Sequence, residues 1–140
     1  MATNFAEFNR KLIADLRAHD GRASSGPFAG RDVLILTTVG AKSGEQRENP
    51  LAFTRAGDDL VVIASKGGSP THPGWYHNLV ADPDVTVEAL GERFSAHARV
   101  TAGEERERLY ARQADKMPAF WDYQRRTRRQ IPVIVLERAA

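Results

Sequence analysis

The 140-residue chain contains no cysteine. That absence excludes disulfides, thiol nucleophiles, cysteine-ligated zinc and iron–sulfur clusters. No apolar run approaches the roughly 20 residues that a membrane-spanning helix needs. The opening residues, MATNFAEFNRKL, lack a basic start followed by an apolar block, so no secretory signal is expected and a cytoplasmic protein is the default. Neither sign of charge dominates. Twenty Lys+Arg stand against eighteen Asp+Glu, a net charge of +2, so where the cations sit matters more than how many there are. Also missing are a G-x-G-x-x-G fingerprint, a complete Walker A loop and a G-x-S-x-G elbow. His72 and His77 are five residues apart, a spacing that suits neither a helix face nor a zincin, and no metal site is expected.

What is present is an ordinary folding composition, with 41% hydrophobic and 27% charged residues. Such a length and balance suit one compact core. Residues 4–19 read as an amphipathic helix. Phe5, Phe8, Leu12, Ile13 and Leu16 share one face, and Asn4 with Glu7 fits a capping box. DGRASSGPFAG, residues 20–30, reads as loop. Strands are predicted at 33–39, 47–56, 60–65, 85–90, 93–101 and 131–137. The second is expected to break or bulge at Pro50, which cannot donate to a ladder. Short helices are predicted at 74–81, 101–116 and 118–129. About six hairpin-linked strands with flanking helices do not alternate as a doubly wound sheet would. An α+β protein with a mainly antiparallel sheet or barrel fits. Residues 1–30 read as an N-terminal helix and linker, and 31–140 as the folded domain.

Three segments concentrate chemistry. In the first, TTVGAKSGEQRENPL, a strand ends in two threonines and enters a glycine-flanked turn with Lys42, Ser43 and Arg47. Glycine backbone, an ammonium and a forked guanidinium together can cradle an anion. A solvated hairpin turn has the same spacing. In the second, a strand runs into Ser65, Lys66, Gly67 and Gly68, and a Pro/Gly loop delivers Trp75 and Tyr76 to a helix start. Free N–H groups there favour anions, and the aromatics pack either on a ligand or on the core. In the third, Met117, Phe120 and Tyr123 recur every three residues and share a helix face, suited to a lid over a flat ligand or to plain core packing. The run Arg125-Arg126-Thr127-Arg128-Arg129 reads as a solvated helix end; a nucleic-acid patch is the competing reading, and no nucleic-acid partner is expected.

The ordered set TTVGAKSGEQRENPL, ASKGG, PGWYHNL-x-A-x-P-x-V-x-V and DYQ-x-x-T-x-R-x-IPV resembles the deazaflavin-dependent nitroreductase and quinone reductase family. The resemblance covers about 33–137. It implies a split β-barrel, related to FMN-binding barrels, that uses coenzyme F420. It further implies hydride transfer from the reduced cofactor to a quinone or nitro-type acceptor. Ala41, Lys42, Ser43 and Arg47 match the turn that holds the cofactor's phosphate and acidic tail. Glu48, Asn49, Pro50, Leu51 and Ala52 match the strand under the deazaflavin ring. Ile63, Ala64, Ser65, Lys66, Gly67 and Gly68 match the second strand end, and Gly74, Trp75, Tyr76, His77 and Asn78 the helix start that covers the cofactor. Met117, Phe120 and Tyr123 match substrate-side positions, with Ser65 and Tyr123 as the catalytic candidates. Departures from the family pattern are Ala41, often Arg, Ala52, where a Tyr can occur, and Met117 and Phe120, often Tyr. The competing readings are an FMN-dependent split-barrel oxidoreductase and a non-catalytic deazaflavin carrier. A homodimer and a peripheral membrane contact through the N-terminal helix complete the expectations.

Overall fold

The structure, a computed structural model, describes residues 5–26 and 28–139. Helix α1 spans Phe5–Ala18. Strands β1 (Val33–Val39), β2 (Gln46–Ala52), β3 (Thr54–Ala56) and β4 (Asp59–Ile63) follow. After α2 (Gly74–Ala81) come β5 (Asp84–Ala89) and β6 (Glu92–Val100), then α3 (Gly103–Lys116), α4 (Ala119–Arg125) and β7 (Val133–Arg138). The expected Asn4 cap lies outside the described residues, as does the side chain of Phe5.

All seven strands form one sheet in the order β2-β1-β5-β6-β7-β4-β3, every neighbouring pair antiparallel. The two strands at the ends of that order, β2 and β3, are separated in sequence only by Phe53. The sheet must therefore curl until its ends meet, which makes the split barrel. The corner falls at Phe53 and not at Pro50. The Phe53 N–H still bonds Asp32 O at 3.1 Å, and the next residue, Thr54, already pairs with Val61 on the far side. Pro50 stays in register opposite Ile35. Because β2 is an edge strand, it tolerates a residue without an N–H.

Period-two alternation sorts the apolar residues onto two faces. Leu34, Leu36, Leu60, Val62, Ile134 and Leu136 point inward and pack with Phe53, Trp75 and Leu79. Val61, Ile63, Val133 and Val135 point outward beneath Leu109, Tyr110 and Phe120 of α3 and α4. Val33 and Ile35 point outward beneath Leu12, Ile13 and Leu16 of α1. Helix α1 thus spends its apolar stripe on the sheet, leaving Phe8 at 42% exposure. Arg17 fastens it, with Nε and Nη2 donating to Glu88 at 3.0 and 2.7 Å and Nη2 also donating to Glu48. Among the described residues no helix is long and apolar enough to cross a membrane. Helix α4 ends at Arg125, four residues short of the expected 129.

Antiparallel pairing throughout gives β1, β4 and β6 one direction and β2, β3, β5 and β7 the other. The C-terminal ends of β1 and β4 therefore share one rim with the starts of β2, β5 and β7. That rim gathers the 40–45 turn, the 64–73 loop, α2 and the 126–132 segment.

Candidate functional site

The 40–45 turn is closed by its own backbone. The Gly40 N–H donates to Glu45 O at 2.7 Å and the Gly44 N–H to Gly40 O at 2.9 Å. Ser43 Oγ accepts the Glu45 N–H at 3.2 Å. A Cβ on Gly40 would lie 2.5 Å from Ser43 Oγ, so only glycine permits the hydroxyl to fold in. Ala41, Lys42 and Ser43 are exposed, and so is Arg47, whose Nη2 lies 3.3 Å from Glu45 Oε2.

Helix α2 is tied to this turn by one side chain. Asn78 Oδ1 accepts the Ala41 N–H at 2.9 Å, and Asn78 Nδ2 donates to Thr38 Oγ1 at 3.2 Å. Asn78 thereby shapes the turn, a role that spacing does not reveal. Around it, Trp75 is buried in the barrel interior while Tyr76 is partly buried against that core. Gly74 and His77 are exposed. The Tyr76 and His77 rings lie 5.7 Å apart at 70°.

The expected floor strand divides by register. Arg47, Asn49 and Leu51 pair with Thr38, Leu36 and Leu34 and share the face of the barrel interior. Glu48, Pro50 and Ala52 pair with Thr37, Ile35 and Val33 and face α1. A cleft of about 550 Å³ opens between α1 and the start of β2, and Arg10, Arg17, Arg47, Ile13 and Ala14 are among its lining residues.

At the end of β4, Ile63 and Ala64 are buried and Ser65 is half-buried. Lys66, Gly67 and Gly68 form a single 3-10 turn, with positive φ at all three (46°, 63° and 80°). Lys66 Nζ donates to Thr71 Oγ1 at 3.1 Å. Gly68 presses on α4: a Cβ there would lie 2.6 Å from Tyr123 O. Ser65 and Tyr123 thus flank the same turn. Phe120 is buried, with its ring 5.2 Å from that of Tyr123 and its carbonyl accepting the Tyr110 hydroxyl. Met117 and Tyr123 are half-buried beside it. Burial pushes the Tyr110 hydroxyl pKa up, so it stays a donor.

The basic run is not uniformly a solvated helix end. Arg126 lies 5.9 Å above the Tyr123 ring. Arg129 turns inward and donates to Ser69 O, Ala64 O and Ser65 O at 2.9, 3.2 and 2.7 Å. Composition hides this residue among its neighbours. The signal that singles it out is its place in the T-x-R-x-IPV motif.

The chain matches a family model described as F420H(2)-dependent quinone reductase over residues 8–138. That match decides the assignment. The chain belongs to the F420H(2)-dependent quinone reductase family. As a member it is an oxidoreductase that works with coenzyme F420, as the motifs imply. It is similar to the F420H(2)-dependent quinone reductase Rv1261c of Mycobacterium tuberculosis, with 38% identity over 135 residues, 88% of this chain and 89% of the relative. Among solved structures, an F420-H2 dependent reductase (FDR-A) is 39% identical, with a TM-score of 0.70 over 75% of this chain and 93% of the other. A second structure, described as a domain-swapped dimer, is 32% identical with a TM-score of 0.72, covering 96% and 98% of the two chains. The residues present fit the cofactor's acidic end. Lys42 and Arg47 are exposed cations, Ser43 offers a hydroxyl, and the Lys42 and Ser43 N–H groups bond no described group. A glycine turn bearing two cations and free donors suits phosphate and carboxylates.

Proposed function

We propose that the barrel rim formed by the 40–45 turn, the end of β4 and the start of α2 holds F420, and that the electron acceptor is a quinone. The observation that carries this reading is the Asn78 bridge, which sets the cationic turn edge to edge with α2. In this reading Lys42, Ser43, Arg47 and the turn N–H groups beside Ala41 bind the acidic end. Asn49, Leu51 and Ala64 form the floor under the flat ring system, with Ile63 anchoring the end of β4 beneath α3 and α4 and Glu48, Pro50 and Ala52 supporting β2 from the α1 side. Lys66, Gly67 and Gly68 close the second strand end. Gly74, Tyr76 and His77 cover the ring, with Trp75 anchoring their helix in the core.

When bound, reduced F420 supplies a hydride from carbon, the step that defines this cofactor's chemistry. The chain's own work is orientation and hydrogen bonding. Ser65 and Tyr123 flank the turn at the end of β4 and are assigned to donate to the acceptor oxygen as it gains charge. Met117 and Tyr123 wall the acceptor side, with Phe120 beneath them. Two of those three side chains are apolar, which favours a flat hydrophobic quinone over a nitroarene. A homodimer enters this reading on the assembly described for the 32% identical relative, and a peripheral membrane contact through α1 would use Phe8.

The Lys42→Ala/Arg47→Ala variant tests the assignment. Losing two charge-assisted contacts should weaken F420 binding on the order of 100-fold, measured by titration of the purified protein. The melting temperature should not change, because both side chains are exposed. Unchanged affinity would place the cofactor elsewhere. Tight FMN binding without F420 binding would favour the flavin reading, and F420 binding without turnover of any quinone would favour a carrier.

A further inference from the structure

Arg129 is half-buried, and none of its hydrogen-bond partners is a carboxylate. Three carbonyls of one loop converge on its fork, so an unneutralised charge lies under the loop that carries Ser65. Its fourth partner is His72, whose Nδ1 lies 2.9 Å from Arg129 Nη1. A guanidinium stays protonated in proteins, so Arg129 donates and Nδ1 accepts. An imidazole whose Nδ1 accepts carries its proton on Nε2.

A second proton on His72 would have to point at the guanidinium. Partial burial, the Arg129 charge and His77 all hold the ring below the usual histidine range. The groups that face it are Arg129 from the 126–132 segment and, from α2, Tyr76 and His77, whose rings lie 4.6 and 5.9 Å away. Nε2 lies across the ring from Nδ1, directed away from Arg129. Among the described residues it has no hydrogen-bond partner. It therefore presents one donor of fixed orientation beside the residues assigned to cover the cofactor.

We propose that Arg129 is a positioning residue that locks His72 as an Nε2–H donor, and that this donor meets a conjugated carbonyl oxygen of the bound ligands. The ligand half rests on the site assignment above. A carbonyl oxygen that gains electron density is best served by a donor already oriented when it arrives. The carbonyl belongs either to the deazaflavin ring or to the quinone, and the two sources separate by experiment.

The tautomer is read first, without ligand, from two-bond nitrogen–proton correlations of the imidazoles in 15N-labelled protein. His72 should show the Nε2–H form and titrate below the usual histidine range. In Arg129→Lys, which loses the fork, the ring should titrate nearer the usual range with both tautomers present. An Nδ1–H form or an ordinary titration in the unmodified protein overturns the lock. The ligand half uses two variants. His72→Asn keeps an acceptor near Nδ1 and loses the distal donor, and His72→Gln keeps the distal donor. His72→Asn should retain its melting temperature and lose about tenfold in affinity, with His72→Gln recovering part of that loss. A change in the F420 Kd assigns the donor to the cofactor. A change in the KM for a soluble naphthoquinone at saturating F420H2 assigns it to the acceptor. If neither changes, the donor role is overturned. A locked tautomer in a protein that binds no F420 overturns the site assignment and leaves the lock standing.

Discussion

Arg17 shows how one exposed-looking side chain can set the position of a helix. It reaches from α1 to carboxylates on two strands, bidentate to Glu88. The hydrogen bonds from Arg17 hold the Glu88 carboxyl below its usual range, against partial desolvation. The sign of the linkage follows. A carboxyl with a depressed folded-state pKa contributes stability above its unfolded pKa, and that contribution disappears as pH falls through the folded value. The gap in stability between the protein and Arg17→Ala should therefore be present at about pH 6 and shrink towards about pH 3. Urea denaturation at the two pH values checks it, and a gap independent of pH would show that Arg17 acts by packing alone. At this scale the sequence is uneven in what it discloses. Lys42, Ser43 and Arg47 are legible because glycines frame them. Asn78 and Arg129 are legible only as letters of the PGWYHNL and T-x-R-x-IPV motifs; their structural roles are not, because each is defined by partners 37 to 65 residues away, and no local pattern encodes that distance.

Among the elements, the 3-10 turn of residues 66–68 packs closely against α4. Gly68 has φ of 80°, and an added Cβ would meet Tyr123 O at 2.6 Å and Tyr123 Cα at 3.0 Å. Both are backbone atoms, so neither yields easily. Gly68→Ala should lower stability by about 1–3 kcal/mol and shift the end of β4, where Ser65 lies. Thermal unfolding gives the first effect, and the KM for the acceptor gives the second. Gly67→Ala is the control, since nothing lies within 4 Å of its added Cβ, and it should cost only the positive-φ strain. Most elements were legible from alternation and turn chemistry, and β1 and α2 match their expected limits. The corner between β2 and β3 was not. Proline breaks strands inside sheets, but whether a strand is an edge depends on the whole topology, and Pro50 is on an edge.

Across the whole molecule, the corner at Phe53 is where the sheet meets itself. The side chain is 3% exposed and packs in the barrel interior. Phe53→Ala should cost about 3–5 kcal/mol, more than most single truncations. Because the cavity would lie between the two sheet ends, affinity for F420 should fall with it if the rim depends on closure. Denaturant unfolding with a parallel F420 titration tests both. The fold class was readable because hairpin-linked strands without alternating helices leave few alternatives. The strand order was not, since nothing local says that β4 will bond β7.

That last pairing has a kinetic side. Strand β7 lies between β6 and β4, yet it follows both in sequence, and Leu60 pairs with Leu136 across 76 residues. Until it inserts, the β2-β1-β5-β6 ribbon and the β3-β4 hairpin are two separate half-sheets, each with an open edge. Assembly must wait for the last described strand to act as the closing stave. Such distant pairing slows folding and leaves sticky edges exposed while it proceeds. Substitutions in Val133–Leu136 should therefore act on refolding yield before they act on the finished enzyme.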